Sequence, residues 1–161
     1  MAVRVRPFEH SDVDDIVRLY RSSGEWFEEI GVNRDFIVAS SQRPDFRYMV
    51  AVDGREVVGF IGALYFKAVG RAELGPVGVD ESRRGSGVGK ALADAMLGFL
   101  GENGVRLVTV KVKARNGRAQ RFFLSQGFAY EAYLRGYTLD GGDVVQMVRH
   151  ILVSKPKPPG I

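Results

Sequence analysis

Alternating strand-like and helix-like runs predict an α/β chain, and three observations carry that reading. Glycine-rich Arg84-Gly85-Ser86-Gly87-Val88-Gly89 stands where an apolar run, Glu73 to Val79, hands over to a helix-like run, Val88 to Leu100. Val108, Val110 and Val112 then alternate with Thr109 and Lys111, as a strand does. Two further pairs of strand-like runs enclose short turn signals, Asp53-Gly54 and Asp140-Gly141-Gly142-Asp143, which read as hairpins.

Taken in order, Val3 to Arg6 reads as a short strand ended by Pro7. Ser11 and Asp14 have capping-box spacing, with Asp in place of the usual Glu or Gln, and Val13, Ile16, Val17 and Tyr20 recur at helical spacing, so a first helix is expected from about Asp12. Gly24 and Gly31 interrupt the next segment, and Asn33 to Ser41 reads as a second short helix ending before Pro44. This stretch carries Trp26, Phe27 and Phe36, for which core packing is the first expectation and contact with a substrate the second. Arg47 to Val52 and Arg55 to Phe66 form the first hairpin, with Asp53-Gly54 as its two-residue loop. After the strand from Glu73, the long helix shows Val88, Leu92, Ala95 and Phe99 on one apolar face, and Gly101 and Gly104 supply its exit. A short helix from Gly117 should end at Gly127 with Phe128 packed back over its last turn. Tyr133 to Leu139 and Val144 to Val153 complete the expected hairpins. Residues 1–153 read as one domain, and the Pro- and Lys-rich segment 154–161 as a loose tail.

Composition narrows the function. The 161 residues suit a single domain with a substantial core. Cysteine is absent, which removes disulfides, thiolate metal sites and a thiol nucleophile, and no run is long and apolar enough to cross a bilayer. A cytoplasmic protein that does not bind membranes is the expectation. The formal charge of +4 comes from basic residues scattered among acids, which argues against nucleic acid and fits a surface with a local positive mouth. His10 and His150 share no ligand-like spacing, so no metal is expected.

The glycine-rich segment has the layout of an anion cradle, since the first amides of a helix lack intrahelical acceptors and sit at the positive end of its dipole. It is neither a P-loop nor a dinucleotide fingerprint. The P-loop needs Gly where Arg84 stands and Ser or Thr where Ala91 stands, and the fingerprint places its third glycine at Lys90 or Leu92. What fits is R-x-x-G-x-G. Asn116-Gly117-Arg118-Ala119-Gln120-Arg121-Phe122-Phe123, followed by Gly127-Phe128, supplies a second motif, similar to N-x-x-A-x-x-F-Y ending in G-F. Through both motifs, in this order and separated by one strand, the chain resembles the GCN5-related N-acetyltransferases, the GNAT superfamily. Within it, the order V-K-V-K-A-R-N resembles the ribosomal-protein-alanine acetyltransferases, and Leu134-Arg135-Gly136-Tyr137 resembles the N-terminal amine acetyltransferases.

The resemblance implies a mixed central sheet, flanked by helices and splayed between the fourth and fifth strands, with acetyl-CoA in the split and no metal. The pyrophosphate would lie on the amides of Arg84, Gly85, Ser86, Gly87, Val88 and Gly89, with Lys90 beside them. Backbone at Val77, Gly78 and Val79 would pair with the pantetheine arm and polarise the thioester carbonyl. Asn116 would hydrogen-bond the cofactor near its thiol end, and Phe123 occupies the position where the family carries a Tyr that acts as general acid. The family base at Lys111 is also replaced. Glu73 stands at the offset of the general-base Glu of the histone acetyltransferases, and a solvated strand-start carboxylate paired with Arg71 or a neighbouring chain is its competing role. Tyr137 resembles a Tyr of the N-terminal amine acetyltransferases that contacts substrate.

The acceptor follows from proton affinity. At pH 7 a Lys amine with pKa ~10.4 costs about 4.6 kcal/mol to neutralise, and an α-amine near ~8 costs about 1.4 kcal/mol. A site with a weak base therefore favours the α-amine of a protein, peptide or amino acid. A small-molecule or antibiotic acetyltransferase and a non-catalytic acyl-CoA-binding module are the alternatives. A homodimer is left open.

Overall fold

The computed structural model describes residues 3–27 and 31–151. Seven strands, β1 (Val3–Pro7), β2 (Phe46–Asp53), β3 (Glu56–Phe66), β4 (Arg71–Val79), β5 (Leu107–Lys113), β6 (Ala129–Leu134) and β7 (Val144–His150), form one sheet in the order β1-β2-β3-β4-β5-β7-β6. Four α-helices accompany them among the described residues: α1 (Val13–Ser22), α2 (Arg34–Ser41), α3 (Val88–Glu102) and α4 (Gly117–Ser125). All strand pairs are antiparallel except β4 with β5. That pair gives the mixed sheet its split.

The sheet has a core on each face. Val13, Ile16, Leu19 and Tyr20 of α1 and Ile37 of α2 pack on Tyr48, Val50 and Phe60, while α3 packs its apolar side against Val58, Ile61, Leu74, Val110 and Met147. The buried stripe of α3 is Val88, Leu92, Met96 and Leu100 with Ala93 and Leu97, so it lies to one side of the expected face. Ala95 and Phe99 are only partly buried, and Phe99 instead lies under the Arg47 guanidinium, 4.2 Å from its ring centroid.

Local chemistry moves several boundaries. The α1 approach is fixed by Glu9 and Asp12 rather than by Ser11 and Asp14: the Glu9 amide donates to Asp12 Oδ2 at 2.8 Å, and Arg6 grips both oxygens of the same buried carboxylate at 2.8 and 2.9 Å. Asp12 can serve both because a carboxylate offers several acceptor sites, and its hydrogen bonds to Arg6 raise the arginine pKa further. Asn33 stands just outside α2 as its cap and accepts from the Phe36 amide at 3.0 Å. The first hairpin turns at Gly54-Arg55, one residue later than expected, because Asp53 still pairs with Glu56 and Gly54 supplies the positive φ of +63°.

The last hairpin also differs. Its first strand is Ala129–Leu134, so Tyr137 and Leu139 belong to the connection rather than to the expected strand Tyr133 to Leu139. Asp143 shapes that connection by accepting from the Tyr133 hydroxyl at 2.7 Å and the Gly136 amide at 2.8 Å. Helix α4 does end as expected: Phe128 N–H donates to Phe123 O at 3.0 Å and Gly127 N–H to Leu124 O at 3.1 Å, the two bonds of a Schellman ending. The expected tail, 154–161, lies outside the described residues.

Candidate active site

Strands β4 and β5 run in register from Arg71 opposite Leu107 to Leu74 opposite Val110, and there the pairing stops. Sequence explains where. Pro76 has no N–H to give a ladder, and Gly75 takes φ +139°, which side chains resist. On the opposite side Gly62 leaves the room this needs, since a Cβ there would stand 2.6 Å from Phe46 Cζ and 3.0 Å from Gly75 O. Beyond the divergence β4 keeps β3 on one edge, through Val77 with Ile61 to Val79 with Gly59, and turns its other edge to the split. Gly78 keeps this strand against Phe60, whose ring a Cβ would meet at 2.4 Å.

At the end of β4, Asp80 caps a short 3-10 turn, Glu81–Arg83, by accepting from the Ser82 hydroxyl at 2.8 Å and the Ser82 amide at 3.0 Å. These bonds, with the nearby Arg18 and Arg83 charges, hold the Asp80 carboxyl below the usual carboxylate range. Gly85 and Gly87 then take φ of +78° and +91°, and a Cβ at either would touch nothing, so backbone conformation rather than space demands glycine. Gly89 is different. It is helical, and a Cβ there would sit 3.1 Å from the Phe122 ring, so its bareness seats α4 against the start of α3.

These elements surround a cavity of about 450 Å³. Val77, Gly78, Val79, Arg84, Gly85, Gly87, Gly89, Lys90, Asn116 and Phe123 line it, as the motif reading groups them. Ser86 and Val88 do not: the Ser86 hydroxyl donates to the Arg83 carbonyl on the exposed side, and the Val88 side chain is buried in the core, leaving only their amides to contribute. Arg84 donates to Ser23 Oγ at 2.8 Å and so ties the loop to the end of α1. Asn116 Oδ1 caps α4 by accepting from the Ala119 amide at 3.1 Å. Phe123 packs edge-on to Phe122 and Phe128 and offers no hydroxyl. Ser23, Arg83, Arg118, Phe122 and Gln126 also line the cavity and are additional to the expected set. Arg118, Phe122 and Gln126 lie at i, i+4 and i+8, and Arg83 directly precedes the glycine motif, signals the sequence does hold; Ser23 arrives through tertiary folding.

A second cavity, of about 340 Å³, lies on the other side of Leu74, Gly75 and Pro76. Tyr20, Phe27, Phe36, Phe46 and Tyr48 wall it, with Glu73, Lys111 and Lys113. Trp26, Phe27 and Lys111 border both cavities, so the aromatics of the α1–α2 connection do more than fill the core. Trp26 also lies under the Arg115 guanidinium, 5.1 Å from its ring centroid, which links that connection to the loop before α4.

Lys111 is where the two catalytic candidates meet. Glu73 pairs with Thr109 in the parallel ladder, so Lys111, two residues further, shares its face. Lys111 Nζ lies 2.9 Å from Glu73 Oε1 and 5.8 Å from the Tyr137 ring centroid. Glu73 is thus paired at the edge of the split, with Lys111 rather than with Arg71.

A sheet opened between parallel strands, with bare strand edge along one wall and a glycine-led helix start at its end, is the arrangement of enzymes that transfer acyl groups from acyl-CoA. The chain belongs to the acetyltransferase (GNAT) family, whose model matches residues 13–128. The mycothiol acetyltransferase of Actinosynnema mirum is 32% identical over 134 residues, covering 79% of this chain, which spans only 44% of that protein. The crystal structure of Ard1 from Thermoplasma volcanium superposes with a TM-score of 0.83 at 30% identity, covering 94% of this chain and 99% of that one. The ribosomal-protein-S18-alanine N-acetyltransferase of Escherichia coli shares the fold, with a TM-score of 0.79 at 20% identity over 99% of this chain and 100% of that one. Seven strands, the parallel β4–β5 pair and the flanking helices match the GNAT fold.

Proposed function

We propose that this chain moves the acetyl group of acetyl-CoA to an α-amine, that of a protein or peptide N-terminus or of an amino acid, by direct attack. The observation that carries this reading is the junction of two cavities where β4 leaves β5: one lined by bare backbone and a helix start, the other by aromatic rings and a carboxylate. Acetyl-CoA fits the first. The free edge of β4 suits the amides of the pantetheine arm, the amides opening α3 suit pyrophosphate, and Asn116 supports the region near the thiol. When bound there, it supplies the activated acyl group. The acceptor enters from the second cavity, where Glu73 receives the amine proton, directly or through water, and an amide of Val77 to Val79 supports the carbonyl oxygen as it gains charge. Tyr137 lines neither cavity and reaches the acceptor side only through Lys111, while Phe123 leaves the departing sulfur to solvent or substrate protons.

The α-amine is favoured because it costs about 3 kcal/mol less to neutralise at pH 7 than a Lys amine, and so asks less of the site. The S18-alanine enzyme, which shares the fold, acts on such an amine by its name. A cytoplasmic setting belongs to the same proposal and rests on the missing cysteines. No helix among the described residues is long and apolar enough to span a membrane.

The test offers acetyl-CoA with pools of N-terminal peptides, amino acids and polyamines, reading thiol release and acetylated products by mass. Products on α-amines are expected. Preference for polyamines or Lys side chains would overturn the acceptor assignment, and binding of acetyl-CoA without thiol release would favour a non-catalytic module.

A further inference from the structure

Among the described lysines, Lys111 alone borders both cavities, Lys90 lining only the first and Lys113 only the second. Its side chain is 20% exposed, and its Nζ is held 2.9 Å from the Glu73 carboxylate. It extends from the strand position immediately after Val110, where the sheet opens. A primary amine, a proton acceptor and the wall of the acyl-donor cavity therefore coincide. We propose that Lys111 is itself an acceptor: the chain acetylates Lys111 on Nζ. This inference rests on the assignment of the first cavity to acetyl-CoA.

The step balances within the site. Glu73 takes one proton from the Lys111 ammonium, and the Nζ lone pair forms a bond to the thioester carbonyl carbon. The C–S bond breaks with its electrons on sulfur, the nitrogen gives its second proton to the departing thiolate, and Glu73 later returns its proton to solvent. The products are Nε-acetyl-Lys111 and CoA. The ion pair resists the first transfer in open water. Glu73 is 41% exposed in the free chain, and a bound acyl donor lying over the pair would displace that water, which disfavours the charged pair relative to the neutral acid and amine. A held pair of reactants also escapes the entropy cost of encounter. The reaction need occur only once per chain, so it can be much slower than turnover. Its consequence is local: acetyl-Lys111 no longer neutralises Glu73, and the carboxylate is left to receive an incoming ammonium.

The experiment incubates the intact chain with acetyl-CoA and no added amine, then maps acetyl groups by peptide mass spectrometry while calorimetry follows acetyl-CoA binding. Exposed Lys67, which lines neither cavity, reports background chemistry. Lys111 should label at least roughly a hundredfold faster than Lys67, a small part of what a held pair can reach. E73Q should bind acetyl-CoA normally and lose most of this advantage. K111R keeps the positive charge beside Glu73 and should remain unlabelled at 111 with Lys67 unchanged. Labelling of Lys111 at the Lys67 rate in a chain that binds acetyl-CoA would sink the inference alone. Failure to bind acetyl-CoA would remove the cofactor assignment along with it.

Discussion

The two cavities meet at one point of the sheet and are built from different materials. The first has backbone along one wall and at its end, the free edge of β4, the turn at Gly85 and Gly87, and the amides that open α3, with side chains from α4 opposite. The second is mostly side chain: aromatic rings from α1, α2 and β2, with a Glu–Lys pair at its inner end. Backbone can bind a ligand only where residue types permit a special conformation or close approach, so such a site leaves its mark in a short motif. A side-chain site assembled from several elements leaves no local mark.

The widest way to break the comparison is Gly87→Val, which places a β-branched residue at φ +91°. Acetyl-CoA affinity should fall below calorimetric detection while circular dichroism retains the folded spectrum. Strain at a left-handed position adds a stability loss of about 1 to 3 kcal/mol, readable as a lower melting temperature. Unchanged affinity in the folded variant would detach the glycine turn from cofactor binding.

Glu73→Gln attacks the second cavity and should spare the first. Turnover on an identified α-amine should drop by roughly 10² to 10⁴, the range of a positioned acid–base group, with acetyl-CoA affinity retained. The deficit should shrink as pH rises, because more amine arrives neutral. Equal turnover from about pH 6 to 9, a span that covers the titration of an α-amine, would make Glu73 a structural partner of Lys111 and nothing more.

Asn116→Ser sharpens the boundary between capping and binding. Ser keeps an oxygen for the Ala119 amide but is too short to reach beyond it, so the melting temperature should hold while the Michaelis constant for acetyl-CoA rises several-fold. Wild-type kinetics would leave Asn116 as a cap only.

The smallest effect belongs to Asp80→Asn. A carboxyl whose folded pKa is depressed stabilises the fold above its unfolded pKa, and that contribution fades as pH falls through the folded value. The variant should be less stable than wild type by about 1 kcal/mol or less at pH 7, with the gap closing below roughly pH 4. A gap that stays constant with pH, followed by thermal melts, would assign the difference to geometry rather than charge.

Legibility in the sequence obeys the same division. The order of strands and helices, the glycine-led start of α3, the cap at Asn116 and the Schellman ending at Gly127 all rest on local rules, and they stand where the residues place them. Boundaries shift where a distant partner decides. Arg6 recruits Asp12 and fixes the turn that leads into α1, and strand pairing with β7 selects Ala129–Leu134 rather than the later run from Tyr133. The Glu73–Lys111 pair is hidden for a related reason: each residue matches a separate family position, and only the parallel register reveals that they face one another.

Trp26 has a use beyond packing. It is the sole tryptophan of the chain, it borders both cavities, and a guanidinium lies over its ring. The protein therefore carries one intrinsic tryptophan fluorophore at the junction of the two cavities, with a cationic neighbour able to alter its emission. Stopped-flow traces of unlabelled protein can then time the arrival of acetyl-CoA and of the amine separately, and so establish the order in which the two substrates bind.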